Sequence, residues 1–524
     1  MQSNRQTNNR QENVKNTAVF SFFTIISRIL GLLRDMLKAW AFGTGPMAVA
    51  FDIAFRLPNM LRNLAAEGAF SQAFIPLYEK YKHENNGKDA AGAILVRMFF
   101  ILGILTLFVI LSLPYVLPSL INDPNSLHKE TQLAVDLSRL LFPYILFISL
   151  ATIFMGIEYS RGVFWAPALG PALMNFVIIS LFLIGIWLLP IQNPTNKIYI
   201  WSFAILAAAI FQMSFQAIMT KKMGFFPRLR FSHPVLSDLW KMMLPAIFAA
   251  AAQELGQLAD IFLATLLREK APGAVSALTY AHRLNHLPIG VFAVAVATAS
   301  LPQLSRLFQE NKKEEYEHAL GSAISLNLFL LLPSALGLFL FAKPIIGLLF
   351  ERGSFSLHST ESTALALRFY ALGIPAFGMT KLFTSAFYAR ENSKVPALIT
   401  AFTLTMNISI SILLMQSLLH GGLALGSSLA SWAAILFYAF FLAKKYKVSF
   451  LKDHLKEYIK ILFVNALWFI TLFFVARVLI PFPYWQQIVI VLPLAAGFYF
   501  LLSHIFRVEE LYIFIRLIQS KIKR

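Results

Sequence analysis

The sequence predicts an all-α polytopic membrane protein with fourteen transmembrane helices, and three observations predict it. The first is composition. Of 524 residues, 58% are hydrophobic and 14% charged, 50 are Phe, and the mean hydropathy is +0.66. Soluble domains run at roughly 45–50% apolar and about 25% charged. The second is the recurrence of apolar windows of about 20 residues, the length that crosses a bilayer core of roughly 30 Å. The third is the distribution of Lys and Arg, which alternates between successive connections. Together these exclude a soluble enzyme, a disordered chain and a fibrous protein.

Residues 1–17 are rich in Gln, Asn and Arg and are expected to form a cytoplasmic tail. They do not read as a cleavable signal, because the apolar stretch that follows is too long for an h-region and no small-residue cleavage pattern ends it. The windows then lie near 18–42, 48–76, 94–118, 132–158, 165–189, 197–219, 238–267, 273–304, 318–350, 360–388, 395–418, 422–443, 457–479 and 484–506. The second, eighth and tenth are less apolar than the others. Gly and Pro inside them are compatible with membrane helices, and Pro58 and Pro288 are expected to kink theirs.

Basic residues test the count. Before the first window and after each even one stand Arg5, Arg10 and Lys15; Lys80, Lys82 and Lys88; Arg161; Lys221, Lys222, Arg228 and Arg230; Arg306, Lys312 and Lys313; Arg390 and Lys394; Lys444, Lys445, Lys447 and Lys452; and Arg516, Lys521, Lys523 and Arg524. The alternate connections hold Lys129, Lys197, Arg268, Lys270 and Arg352. This bias places both termini in the cytoplasm. The net charge of +19 is then a topology signal, and nucleic acid is not an expected partner. The basic segment 221–236 is expected to link two bundles along the cytoplasmic surface. The tail 507–524 alternates apolar and basic residues at helical spacing and reads as an interfacial amphipathic helix, the alternative being an ordinary solvated helix.

An ionisable side chain at mid-membrane costs about 2.5–3.5 kcal/mol on insertion scales and marks function by default. Here such residues concentrate in five windows. The first carries Arg28, Arg34, Asp35 and Lys38; the second Asp52, Arg56, Arg62 and Glu67; the seventh Glu254 and Asp260; the eighth His282, Arg283 and His286; the tenth Arg368 and Lys381. Exposure of so many to lipid is prohibitive, so they are expected to face a shared hydrated cavity. Arginine dominates, and its planar fork binds phosphate or carboxylate bidentately. The expected ligand is anionic.

Structural alternatives exist for several of these. Asp52 and Arg56 are spaced i,i+4 and can neutralise each other on one face. Arg62 and Glu67 lie toward the cytoplasmic end and can snorkel. Arg34 and Asp35 are expected to point to different faces and not to form a self-contained pair. Arg28 and Arg283 have no acidic neighbour evident in sequence, which favours a functional role.

The run from Arg56 to Pro76 in the second window has a counterpart from Arg283 to Pro302 in the eighth, six windows on. This fits a six-plus-six design with a site between the repeats. No GxxxxGK[ST] phosphate loop, HExxH motif or cysteine is present, which removes nucleotide hydrolysis by the chain, thiolate metal sites and thiol catalysis from consideration.

The run RLPNMLRNLAAEGAFSQAFIPLYEKY (56–81), with AEGAFSQAF at Ala66–Phe74, resembles the MurJ/MviN family of lipid II flippases. SRILGLLRD (27–35), YAHRLNHLPIGVFAVAVATASLPQLSR (280–306), LLFERGSF (348–355) and FYARENSKVP (387–396) are similar to family signatures in the same order. The resemblance implies the fold of the multidrug/oligosaccharidyl-lipid/polysaccharide exporter (MOP) superfamily, with two six-helix lobes around a central cavity and two further helices that form a lipid-tail groove. On that reading 18–220 is the first lobe, 221–236 the linker, 237–445 the second lobe and 446–506 the groove. It implies that Arg28, Arg34, Arg62 and Arg283 are the essential cavity residues and that Ala39 and Ser276 line the same cavity. Arg56, Asp35 and Asp52 join the expected substrate-binding set from their charge.

This chain departs from the family pattern at His282, where an acid usually precedes the arginine, at His286, and at Val49, where an acid is often found. Asp52, one turn on, can supply that carboxylate. The implied activity is transfer of lipid II from the cytoplasmic to the outer leaflet of the bacterial inner membrane, without covalent catalysis. Membrane lipids and other cell-wall synthesis proteins are the further partners it implies. Competing readings are an exporter of another polyprenyl-linked glycan or of small molecules, and a non-transporting scaffold. No cofactor is expected. For coupling energy, Asp260 with Asn407, Ser411 and Ser427 can form an oxygen-rich Na⁺ site, the membrane potential is a second source, and the competing reading pairs Asp260 or Glu254 with Lys381.

Overall fold

The computed structural model describes residues 2–64, 74, 77–81, 87–121, 123, 129–189, 193–449 and 453–522. Among the described residues these helices follow one another: α1 Gln2–Phe42, α2 Pro46–Arg62, α3 Gly87–Leu120, α4 Lys129–Leu141, α5 Tyr144–Ser160, α6 Trp165–Leu188, α7 Pro194–Lys222, α8 Val235–Leu266, α9 Ala274–Pro288, α10 Val294–Gln309, α11 Lys313–Leu340, α12 Ala342–Phe350, α13 Leu357–Ala371, α14 Ile374–Tyr388, α15 Lys394–Leu418, α16 His420–Tyr446, α17 Leu455–Leu479, α18 Tyr484–Ile505 and α19 Glu509–Ile522. No strand occurs among the described residues. Every apolar window falls on helix, the second being described only to residue 64 and at Phe74 and so not over its whole length. Among the described residues, ten spans are long and apolar enough to cross a membrane by length and composition. The four windows outside that set are the first, second, seventh and tenth, each of which carries ionisable residues.

Three windows expected as single helices are broken. The fourth is interrupted before α5 at Phe142 and Pro143, the ninth at Phe341 between α11 and α12, and the tenth at Leu372 and Gly373 between α13 and α14. Pro143 has no N–H to continue a helix ladder. Gly373 is a close-contact point, since a Cβ there would lie 2.5 Å from Ser428 Oγ. In the eighth window Pro288 is followed by a π-helical turn, Ile289–Ala293. Such turns insert one residue into the helical phase.

The chain divides into two compact units, one ending at Leu258 and the other beginning at Ala259. In the first, α1 packs along α6, both α5 and α6 pack along α7, and α2 packs against α4. Its centre is an aromatic knot in which Trp201 meets Phe182 at 5.0 Å, Phe42 at 6.1 Å and Phe51 at 6.5 Å, all close to edge-on. Edge-to-face arrangements of this kind add about 0.5–1.5 kcal/mol per pair beyond burial. Within 221–236, the segment expected as a linker, the Arg228 N–H donates to the Lys88 carbonyl at 3.0 Å.

In the second unit α15 and α16 form a hairpin turned at Leu419, whose φ is 51°. Gly422 and Gly426 let the two helices touch: a Cβ on Gly422 would lie 2.5 Å from the Leu414 carbonyl, and one on Gly426 2.3 Å from Ser411 Oγ. A core of Leu304, Leu320, Leu382, Phe383, Phe387 and Tyr438 joins α10, α11, α14 and α16. The last two long helices, α17 and α18, pack together, α17 onto α11 and α18 onto α12. Two of their buried polar groups find backbone partners: Trp468 Nε1 donates to the Ala495 carbonyl and Tyr499 OH to that of Phe329, both at 2.8 Å. Large apolar side chains face outward, including Tyr115 and Trp187 at 81% and 82% exposure, as expected of helices whose solvent is lipid.

Candidate functional site

Within the first unit the intramembrane charges fall into three contact groups. Helix α1 carries Arg28, Arg34, Asp35, Lys38 and Ala39. Arg34 donates through Nη1 to Asn175 Oδ1 at 2.9 Å and through Nη2 to Asp35 Oδ1 at 2.8 Å. The expectation that Arg34 and Asp35 point apart is therefore corrected. Adjacent Cβ atoms do diverge, but the long guanidinium stem folds back to the carboxylate, and the pair is held by Asn175. The same Asn175 side chain donates to the Ser27 carbonyl at 3.2 Å, tying α1 to α6.

One turn further on, Lys38 makes an ion pair with Asp52, with side-chain exposures of 6% and 5%. The Lys38 ammonium also stands 5.1 Å from the centre of the Phe51 ring. Arg56 Nη2 donates to Gln257 Oε1 at 2.6 Å and pairs with Glu254 Oε2 at 3.4 Å. Thus Asp52 finds Lys38, and Arg56 finds Glu254 on α8. Asn63 bridges onward: its Nδ2 donates to Glu254 Oε1 at 3.1 Å and its Oδ1 accepts from Arg62 Nη2 at 3.0 Å. Glu254, which had been weighed as a partner for Lys381, belongs to this network. Arg28 is exposed, and Ala39 has no accessible surface. Glu67, Pro76 and the Ala66–Phe74 motif apart from Phe74 lie outside the described residues.

Within the second unit, α9 presents Arg283 and His286 as exposed residues one turn apart. The His282 and His286 rings approach to 4.1 Å, and His282 meets Tyr370 at 5.6 Å. Lys381 and Arg283 both act electrostatically on His286. Arg368 is exposed, and Ser276 is fully buried.

The four candidate cation ligands meet. Asn407 Nδ2 donates to Asp260 Oδ1 at 3.1 Å, and Ser427 Oγ donates to Asp260 Oδ2 at 3.0 Å. Asn407 Oδ1 accepts from Ser411 and Ser427, each at 3.2 Å. Asp260 and Ser411 are buried. A carboxylate, an amide oxygen and two hydroxyls are donors suited to a hard cation. No group of three or more His, Cys, Asp or Glu that could hold a metal occurs among the described residues.

Sequence reasoning missed Asn175, Asn63, Gln257 and Tyr370. A search for charge passes over amides, yet an amide inside an apolar span needs a partner as a carboxylate does, and that signal was available.

This arrangement of long helices, with ionisable residues confined to a few of them, has the fold of polytopic transporters of the MOP superfamily. A solved inward-facing multidrug MATE transporter of that superfamily superposes with a TM-score of 0.65 at 18% identity, covering 82% of this chain and 99% of the other. A solved structure of lipid II flippase MurJ, in an inward closed conformation, superposes with a TM-score of 0.75 at 26% identity, covering 93% and 98%. The family described as lipid II flippase MurJ matches residues 38–502. A probable lipid II flippase MurJ of Rhizobium meliloti is 34% identical over 81% of this chain and 80% of its own length. The lipid II flippase MurJ of Burkholderia cenocepacia is 32% identical over 77% and 79%. The chain belongs to the MurJ family.

Proposed function

We propose that the protein carries lipid II, the undecaprenyl-pyrophosphate-linked disaccharide-pentapeptide, from the cytoplasmic to the outer leaflet of the bacterial inner membrane by alternating access. The lobes are 18–220 and 237–445, and the helices of 446–506 guide the lipid tail. Arg28, Arg34, Arg62 and Arg283 hold the pyrophosphate while the head group crosses in water. No bond is made or broken, so the protein acts as a transporter.

The observation that supports this reading is the exposure of Arg28 and Arg283, one in each unit, on helices where the ionisable residues of the chain concentrate. Arginine keeps its charge in a low-dielectric site and matches a diphosphate with paired donors. Arg34 comes already oriented by Asn175 and Asp35. The test is a leaflet-resolved assay of lipid II accessibility after rapid depletion of the protein, with rescue by variants. Arg28→Ala and Arg283→Ala are each expected to leave lipid II on the cytoplasmic side. Full rescue by both overturns the role assigned to them.

For coupling we propose Na⁺ at Asp260, Asn407, Ser411 and Ser427, supported by the convergence of their oxygens. Movement of net charge in the membrane potential adds about 2.3 kcal/mol per charge per 100 mV. Transport is expected to require Na⁺, and Asp260→Asn to lose that requirement along with most activity. Na⁺-independent transport by the unaltered protein removes the proposal.

A further inference from the structure

The segment between α7 and α8 is mostly non-helical, and it runs down the outside of α3. At its upper end the Arg228 N–H is bonded to the Lys88 carbonyl. At its lower end Arg97 Nη2 donates to the Phe231 carbonyl at 3.4 Å, and the Phe231 ring lies 6.2 Å from that of Phe100. Lys88 stands in the first turn of α3, and Phe100 lies about 18 Å further along the helix. The strip therefore descends from the cytoplasmic end of α3 to a level inside its apolar run. Phe225 pins it from beneath, with the Arg161 guanidinium 4.4 Å above its ring and Tyr78 edge-on at 5.9 Å.

Its outward side chains are of two kinds. Phe226, Leu229 and Phe231 are 48%, 68% and 74% exposed. Arg228 and Arg230 alternate with them, and Arg97, Lys221 and Lys222 are exposed alongside. Asp89 pairs with Arg230 at 3.3 Å, which leaves the strip strongly positive. Water suits the cations and opposes the rings. Hydrocarbon suits the rings and opposes both the cations and a non-helical backbone. The layer of lipid phosphates at the acyl boundary suits both, and basic residues there select anionic lipid.

We propose that this strip is a binding site for anionic phospholipid of the cytoplasmic leaflet. Phe226, Leu229 and Phe231 enter the acyl boundary, and Arg97, Arg228 and Arg230 hold the headgroup phosphate. The site lies wholly within the first unit and is independent of the substrate assigned to the protein.

The test uses the purified full chain in detergent, with phosphatidylglycerol and phosphatidylethanolamine offered together and bound lipid counted by native mass spectrometry. Phosphatidylglycerol is expected to bind in excess on the order of tenfold, and the excess should shrink as salt rises. Arg97→Gln/Arg228→Gln/Arg230→Gln should bring the ratio near one. Equal binding by the unaltered chain, or a ratio indifferent to that variant, overturns the proposal. So does displacement of phosphatidylglycerol by equimolar undecaprenyl pyrophosphate, which would assign the strip to the substrate. Depth is read separately. The chain has no cysteine, so Leu229→Cys takes a single spin label in vesicles containing phosphatidylglycerol. Greater access to oxygen than to a water-soluble relaxant is expected, and the reverse is equally fatal.

Discussion

Lys38 and Asp52 offer a test of how this membrane protein handles buried charge. Their side chains are 6% and 5% exposed and joined directly, so removal of either takes a direct charge partner from the other in a buried site. Breaking a buried pair in this way costs about 3–5 kcal/mol, whereas replacing both partners with apolar residues of similar volume is often close to neutral. Lys38→Met and Asp52→Leu should each be severely destabilised, and the double variant should recover most of the loss. The resulting coupling energy in a double-mutant cycle is at least about 3 kcal/mol. The assay is reversible unfolding in mixed micelles by SDS titration. The same double variant, placed in depleted cells, should support wall synthesis, because Asp52 is engaged by Lys38. Additive losses with no recovery would refute the reasoning.

Three further outcomes follow from close contacts and burial. A Cβ on Gly92 would sit 1.7 Å from the Arg228 carbonyl oxygen and 2.4 Å from its carbon. Gly92→Ala should push the strip off α3, cost about 1–3 kcal/mol as overpacking, and open a new tryptic site at Arg228 or Arg230 in limited proteolysis. Gly426→Ala should part α15 from α16 at Ser411, and Na⁺ dependence of transport should fall with little loss of assembled protein. His454 packs on His318 at 4.8 Å, and burial, with His318 beside it, lowers its pKa from the ordinary value. Between that lowered value and about 6.5 the unfolded chain binds the extra proton, so this contribution to stability is present above about 6.5 and lost as pH falls. Burial raises the pKa of Glu510 on the neighbouring α19, which acts in the opposite sense. The effect is therefore read as a difference: the melting-temperature gap between the unaltered chain and His454→Asn should narrow from pH 7.5 to pH 5.5.

The helical windows were legible because a span needs an unbroken apolar run, and loops here are marked by charge. The breaks at Pro143, Phe341 and Gly373 were not. Each interrupts a run whose hydropathy continues across it, and Gly373 is explained by Ser428, which is remote in sequence. The four cation-site candidates were legible as polar residues on apolar helices, two of them spaced i,i+4. The Arg34–Asp35 pair is not evident in the sequence, because neighbouring Cβ atoms diverge and only the reach of the arginine stem closes the contact. Asn175 went unnoticed because no formal charge announces it, although it holds Arg34 and anchors α1.

The hairpin of α15 and α16 turns at a single residue, and at Gly422 and Gly426 the two helices approach too closely for a Cβ. Asn407, Ser411 and Ser427 all sit on this welded pair, and Asp260 alone arrives from elsewhere. Three of the four side chains are therefore spaced by one hairpin alone, and only the distance to Asp260 depends on how a second element is placed.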